Sequence, residues 1–536
     1  MLQNHYTSPT CTPSRTAYLT GKYPIRMGMQ GPPIAAGELR GIPLNETLLP
    51  EYLKKLGYST HLVGKWHVGQ HTFKHTPTYR GFDSFFGYWA GYIGYFDGVH
   101  IHDKEPGKRV SGIDAHRNTE DAWQELVGKY ATDVFTEEAV NIINNHHGEK
   151  PLYLQVSHLA VHAGNGGTTL EVRDKEDTLT KFDYIKDYNR RLYSGMIQAL
   201  DDSVGSIVTA LKIKNLLENS IILFMSDNGA PTVDPLWNTN NFGSNWPLRG
   251  LKSSLHEGGV RVPSIIYSPL IGHSNTFSYL FHVTDWLPTL YEAAGGNTLD
   301  LGKIDGISQW ETLRSGISVT PQRTTILLDI DEILKQEALI KGAWKIIKYD
   351  TKSRNNFSNA YYGSSGRDKN SPEYNITAVI TSPVQLALIN GVSSNSERFL
   401  YKRKQANFDS NCKKIVEKEI NEGIIPCSDY CLFNLNNDPC ENTDMSNNEP
   451  NILNELISLM DDFKSVKVPA NNFTIDERSH PKYFNNKWVP WLDELNSTCT
   501  GYKKNKSNWT VNGSNNIIFA VIFSIFLQRI FGNRYF

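Results

Sequence analysis

Between Glu46 and Tyr349 the hydrophobic positions switch repeatedly between two periods. "ETLLPEYLKKLGY" spaces its apolar residues at helical intervals and meets Gly57 at its end, which predicts an amphipathic helix closed by glycine. "STHLVG" predicts a strand. "DVFTEEAVNIINNH" predicts a helix, and "LYLQVS" the strand after it. A long helical pattern runs from Tyr188 to Leu211, followed by "SIILFMSD", an unbroken apolar run of the kind found in strands buried on both faces. "VPSIIYSP" predicts another strand, and "DWLPTLYEAAGG" a helix stopped by glycines. Alternating strand and helix predicts an α/β fold, a mainly parallel sheet sandwiched by helices. Ligands of such sheets sit at the carboxyl ends of the strands.

The character changes after about Asp350. "SRNNFSNAYYGSSGRDKNSPEYN" is polar, aromatic and loop-like, "ALIKGAWKIIKY" predicts a strand pair, and "NILNELISLMDDF" a late helix. The chain therefore divides into a catalytic α/β domain at 1–322, a smaller α+β domain at 323–500, and a polar, sequon-rich tail at 501–536 with a hydrophobic end. That end, "IIFAVIFSIFL" from Ile517 to Leu527, is shorter than the about 20 residues a spanning helix needs. A glycolipid-anchor signal, an interfacial membrane anchor and a frayed tail are the readings open to it. The small polar residues Ser507 to Asn516 suit an anchor-signal spacer, whereas the trailing "RIFGNRYF" does not.

A net charge of -2 gives no bulk attraction for nucleic acid, so any anion must be held by a local site. Of six cysteines, Cys412, Cys427, Cys431 and Cys440 cluster, while Cys11 and Cys499 stand apart. The cluster has no histidine or CxxC pair at zinc spacing, so one or two local disulfides and an oxidising compartment are expected. N-x-S/T sequons at Asn45, Asn356, Asn375, Asn472, Asn496, Asn505, Asn508 and Asn512 point to a glycoprotein. No apolar leader follows Met1, a conflict that resolves if the natural start lies upstream.

Four polar constellations carry candidate chemistry. In "SPTCTPSRTAYLTGKYP", Cys11 and Arg15 stand four residues apart, on one face if Cys11 opens a helix. In "VGKWHVG", Lys65 and His67 lie on one side of an extended segment. In "FMSDNGAP", Asp227 and Asn228 end a buried strand and offer hard oxygen ligands suited to calcium or magnesium. In "PLRGLKSSLHEGGVRVP", Arg249, Lys252, His256 and Arg261 surround a glycine pair, and His162 in "LAVHAGN" follows another strand. Singly, each has a bland reading, a structural histidine or a polar turn. Together they fit a tetrahedral oxyanion beside a divalent metal.

These motifs resemble, in order, those of the type I sulfatases, most closely the arylsulfatase B group (N-acetylgalactosamine 4-sulfatases) and its arylsulfatase I and J relatives. "CTPSRTAYLTGKYP", "GYSTHLVGKWHVG", "SDNG", "NWPLRGLKSSLHEGGVRVP" and "HVTDWLPTLYEAAGG" carry the likeness from Ser8 to about Leu313. It continues more loosely through "CLFNLNNDPCE". The resemblance implies that a formylglycine-generating enzyme reads "CTPSR" in the unfolded chain and converts Cys11 to formylglycine. The hydrated aldehyde, held against a divalent metal, most simply Ca2+, then attacks sulfur and later collapses to release sulfate. It further implies that Cys11, Asp227 and Asn228 meet the metal and that Arg15 fixes the formylglycine. Lys65 and Lys252 would neutralise sulfate oxygens, His67 would take the hydrate's proton, and His162 or Lys252 would protonate the leaving alcohol. The expected substrate is an aryl sulfate or a sulfated carbohydrate such as N-acetylgalactosamine 4-sulfate, met in lysosomes or outside the cell after passage through the ER. Gly91 to Asp121 and the second domain are the expected seats of specificity.

The chain departs from that pattern in two ways: the arylsulfatase B relatives carry cysteines between the signature and "GKWH", where "MGMQGPPIAAGELRGIPLNE" has none and Cys499 is left with no obvious family partner, and the first motif differs. The family's first motif, a central strand ending in two aspartates, does not precede Cys11; Asp201–Asp202 and Asp461–Asp462 lie in predicted helices and do not replace it. The competing readings are an inactive relative that binds sulfated glycans and a phosphoesterase or phosphonate hydrolase of the same superfold.

Overall fold

A computed structural model describes residues 1–103, 109–165, 170–234, 239–271, 276–319, 322–350, 370–373, 375–388, 427, 429–470, 474–497 and 517–524. In chain order the strands are β1 (Leu2–Tyr6), β2 (Ser59–Lys65), β3 (Ser84–Tyr88), β4 (Val99–Asp103), β5 (Arg109–Ile113), β6 (His116–Arg117), β7 (Glu120–Asp121), β8 (Leu152–Ser157) and β9 (Ser220–Ser226). They continue with β10 (Val233–Asp234), β11 (Thr239–Asn240), β12 (Ser264–Tyr267), β13 (Phe277–His282), β14 (Thr325–Asp331), β15 (Gln336–Lys341), β16 (Trp344–Tyr349), β17 (Cys431–Asn434) and β18 (Ile518–Ser524).

Ten strands form the main sheet in the order β13-β1-β12-β9-β18-β8-β2-β3-β6-β7. The central run from β9 to β3 is parallel throughout. Strand β12 is antiparallel to both β9 and β1, which makes the sheet mixed toward that edge. Helices cover both faces. One core joins Ala131–Asn144 and Tyr188–Ile213 to the sheet, and the other joins Cys11–Thr20, Leu49–Lys55 and Trp286–Ala293. Each of these helices, and each strand expected around them, sits where its apolar period places it. A four-stranded antiparallel sheet, β14-β15-β16-β17, stands apart, covered by the helix Pro450–Ser465.

The centre of the main sheet holds the largest difference from expectation. The hydrophobic stretch considered as an anchor or a frayed tail is strand β18, inserted between β8 and β9 and parallel to both. Its alternate side chains feed opposite faces: Ile518 and Ala520 enter one core, Phe519 and Val521 the other. Phe519 stacks on Tyr58 at 5.3 Å between ring centroids. Burying a Phe or Val side chain fully contributes about 1.5–3 kcal/mol, so a slot inside the sheet holds this apolar run firmly. The sheet thus has a central strand, but one drawn from far down the chain.

Cys427 and Cys431 form a disulfide, as local pairing in the cysteine cluster predicts, and Cys440 is also disulfide-bonded. Cys412 and Cys499 lie outside the described residues. So do the sequons at Asn356, Asn472, Asn505, Asn508 and Asn512 and the side chain of Asn496, while Asn45 and Asn375 are exposed. Among the described residues no helix is long and apolar enough to cross a membrane.

Candidate active site

All strands of the main sheet except β12 and β6 run the same way, so their carboxyl ends share one edge. The chain leaving β1 enters the Cys11–Thr20 helix, with Thr10 extended as its N-cap and Gly21 left-handed (φ 67°) at its end. All ten residues of this helix are buried. Cys11 is its first residue, and Arg15, one turn on, reaches across the sheet edge. Arg15 Nε donates to Asp227 Oδ2 at 3.0 Å, and Nη1 donates to the carbonyl of Lys65 at 3.1 Å. One side chain therefore ties together the ends of β9 and β2.

Strand β2 delivers Lys65 and then His67, whose φ of 64° is left-handed, a conformation that stores about 1–3 kcal/mol of strain at functional sites. Gly91 makes room for it, because a Cβ there would lie 2.8 Å from the imidazole. His67 Nε2 donates to the carbonyl of Ile34 at 2.8 Å, which leaves Nδ1 as the acceptor nitrogen. Thr12 Oγ1 donates to the carbonyl of His67 at 3.0 Å, locking that turn to the Cys11 helix.

Strand β9 ends in Asp227 and Asn228. The next residue, Gly229, is packed so closely that a Cβ would come within 1.9 Å of the carbonyl of Gly258. Strand β8 leads to His162, held through its carbonyl by the Tyr95 hydroxyl at 2.9 Å and stacked on Tyr92 at 5.4 Å. His162 Nδ1 donates to the carbonyl of Ala163 at 2.7 Å, so Nε2 carries the lone pair. Lys252 Nζ lies 3.4 Å from that Nε2 and donates to it. The Lys252 loop is braced by Asn245, whose amide both accepts from Ala230 N at 2.8 Å and donates to the carbonyl of Ala230 at 2.6 Å.

The site is buried and cationic. Cys11, Arg15, Lys65, His67, Asp227 and Asn228 are at most 3% exposed, Lys252 6% and His162 9%. Three cations, Arg15, Lys65 and Lys252, stand against one carboxylate, Asp227, an excess that suits a bound anion. Burial, with Cys11 and Asp227 opposing and Arg15 and Lys252 reinforcing, brings Lys65 down to about 8. His67 is held well below the usual histidine range by burial and then by Lys65, and His162 by burial and then by Lys252 and Lys65. Both imidazoles are therefore neutral.

Four polar atoms here are buried without a hydrogen-bond partner: Lys65 Nζ, His67 Nδ1, Asp227 Oδ1 and Asn228 Oδ1. Unpaired buried polar atoms are costly, and their clustering is what a site built for absent groups requires. The two oxygens fit a hard divalent cation in kind. They fall short in number, since calcium takes about six to eight oxygens and no group of three or more His, Cys, Asp or Glu able to hold a metal occurs among the described residues.

Arg249, His256 and Arg261, which share the fourth polar constellation with Lys252, turn away from the site. They enter a buried ion cluster behind the Lys252 loop. Asn245, Thr12 and Tyr92 were missed; nothing in their spacing separates them from ordinary loop residues.

The Sulfatase family profile matches residues 1–296, and the chain belongs to that family, the sulfuric ester hydrolases of arylsulfatase type. More particularly, it is 34% identical to arylsulfatase J of Mus musculus over 95% of this chain and 76% of the relative. It is 31% identical to N-acetylgalactosamine-6-sulfatase of Mus musculus over 58% of each chain. The solved structure of Ps i-CgsB in complex with k-i-k-neocarrahexaose shares the fold, with a TM-score of 0.61 at 22% identity, over 92% of this chain and 90% of that one.

Proposed function

We propose that this protein hydrolyses sulfate esters of a sulfated, galactosamine-containing carbohydrate, and aryl sulfates as surrogates, with residue 11 as nucleophile. The observation that carries the reading is the buried cluster of Cys11, Arg15, Lys65, His67, His162, Lys252, Asp227 and Asn228, with its excess of cations and its unpaired polar atoms. The relatives' names supply the substrate class: one is an N-acetylgalactosamine-6-sulfatase and one an arylsulfatase.

Once oxidised to formylglycine by a modifying enzyme and hydrated, residue 11 would offer a hydroxyl nucleophile, and Asp227 and Asn228 would hold a hard divalent cation such as calcium, which would supply Lewis-acid charge there. The other residues act directly. Lys65 and Lys252 hold the sulfate oxygens. Arg15 orients Asp227 and the sheet edge. His67 Nδ1 accepts the nucleophile's proton. Lys252, which donates to neutral His162, is taken as the proton source for the leaving oxygen, a reading that this contact supports. The disulfides and the exposed sequons at Asn45 and Asn375 support maturation in the ER and a lysosomal or extracellular destination.

The test is inorganic sulfate release from 4-nitrophenyl sulfate and from N-acetylgalactosamine 4- and 6-sulfates, with 4-nitrophenyl phosphate as the contrast. Cys11→Ala is expected to lower release by about 10⁶-fold while the protein stays folded. Undiminished release by that variant, or an unmodified Cys11 peptide by mass spectrometry in active material, overturns the mechanism.

A further inference from the structure

Behind the Lys252 loop lies a cluster of charged side chains that the chemistry above does not use. Lys345 on β16 is fully buried and lies 2.9 Å from Glu257 Oε1 and 2.8 Å from Glu441 Oε1. Glu257 also accepts from the Tyr6 hydroxyl at 2.9 Å, and Arg261 lies 3.4 Å from it. Glu441 Oε2 accepts from the backbone N–H of Glu257 at 2.7 Å and lies 3.2 Å from His256 Nδ1. Arg249 donates to the carbonyl of Glu441 at 2.6 Å. Burial alone would raise Glu441, but Lys345 and His256 bring it down to about 2, so it is charged. His256 falls to about 4 by burial and by Arg249.

The loop this cluster grips is short and strained. Gly250 (φ 86°) and Ser253 (φ 73°) are both left-handed and flank Lys252. On the catalytic side, Lys252 N donates to the carbonyl of Ala230 at 3.3 Å and Ser253 N to that of Pro9 at 2.9 Å. On the side of the small sheet, Leu255 N donates to the Tyr349 hydroxyl at 2.8 Å. Gln336 donates to the carbonyl of Ser253 at 3.4 Å. Replacing a buried ion cluster by apolar residues is often neutral or stabilising, so stability alone does not account for one here. A charged cluster does fix geometry, and the geometry it fixes is that of the lysine beside His162.

We propose that Lys345, Glu441 and Tyr349 of the small sheet are positioning residues that hold the Lys252 ammonium at the leaving oxygen. This rests on the hydrolase reading above. The small domain then completes the catalytic site although none of these side chains touches substrate.

Leaving-group dependence separates this role from a merely structural one. 4-Nitrophenolate leaves without a proton, whereas a sugar alkoxide needs one. Tyr349→Phe and Lys345→Met are each expected to lower kcat on N-acetylgalactosamine sulfates about tenfold or more beyond the loss on 4-nitrophenyl sulfate, because both esters use the sulfate contact of Lys252 but only the sugar ester needs its proton. Lys345→Arg, which keeps the charge, is expected to restore much of the loss. Equal losses on both esters, or none, overturn the proposal. Tyr349→Phe removes only a hydroxyl and keeps the test alive if Lys345→Met fails to fold. Hydrogen exchange provides an arm independent of activity: in Tyr349→Phe the amides of Lys252, Ser253 and Leu255 are expected to exchange about tenfold faster than in the unaltered protein, with β9 unchanged. Unchanged loop exchange also overturns the proposal. If the unaltered protein releases no sulfate from either ester, the hydrolase reading fails while the exchange arm still decides the tether.

Discussion

Strands β9 and β18 lie side by side in the middle of one sheet, run in the same direction and share a seven-residue register from Ile518–Ser220 to Ser524–Ser226. Ile221, Leu223 and Met225 are as buried as Phe519 and Val521. Beyond that they differ: β9 runs directly into Asp227 and Asn228, whereas β18 brings no acidic side chain to the described site. Packing asks both strands for the same thing, apolar side chains on both faces, and places no demand on the turn beyond. The chemistry is set by the one or two residues just past a strand's end. The centre of the sheet can therefore be complete as a sheet while, among the described residues, no group of three or more His, Cys, Asp or Glu able to hold a metal stands beside it.

The sharpest way to break the comparison is to make β18 polar. Val521→Asp places an unpaired carboxylate among fully buried side chains and is expected to cost about 4 kcal/mol or more, abolishing the folded protein in a denaturant titration. Leu223→Asp in β9 is expected to do the same, because the two strands are equivalent as packing. A folded, stable Val521→Asp protein would mean that β18 does not occupy the slot. Asp227→Asn separates the strands instead. It is expected to leave the chain folded and lower sulfate release by about 10²-fold or more, the order lost when one preorganised charged partner is removed from an active site.

The smallest expected effect is the response to pH. Lys65 has a folded pKa of about 8 against 10.5 for an ordinary lysine. Between those values the unfolded chain binds the proton that the folded chain has released, so stability rises with pH across that window. The same titration removes a cation from the anion site, and kcat/KM should fall about tenfold per pH unit above about 8. A flat profile from pH 7 to 10 would show that Lys65 does not hold the sulfate group.

The same pair of strands marks what could be read from sequence. Strand β9 was legible because an apolar run ended in Asp-Asn-Gly and sat among alternating helices and strands. Strand β18 has the same apolar run, but a run of that length suits a sheet centre, an anchor or a tail equally well. Only its partners decide, and they lie far away in sequence. Cys11 and Arg15 were legible because four residues make one helical turn. The fourth constellation was legible in part: Lys252 faces His162 while Arg249, His256 and Arg261 face Glu441 and Glu257. Spacing does not reveal which way a side chain points in a loop that reverses through left-handed residues at Gly250 and Ser253.

In a chain synthesised from its amino terminus, β8 and β9 must wait until Ile518–Ser524 has been made before their shared neighbour emerges. Non-local pairing of this kind is slow, and it leaves the middle of the sheet open during synthesis. Cys11, 1% exposed once folding is done, lies far upstream of β18 in the chain. The late arrival of β18 thus lengthens the interval in which the segment around Cys11 is still accessible, and its docking ends that interval.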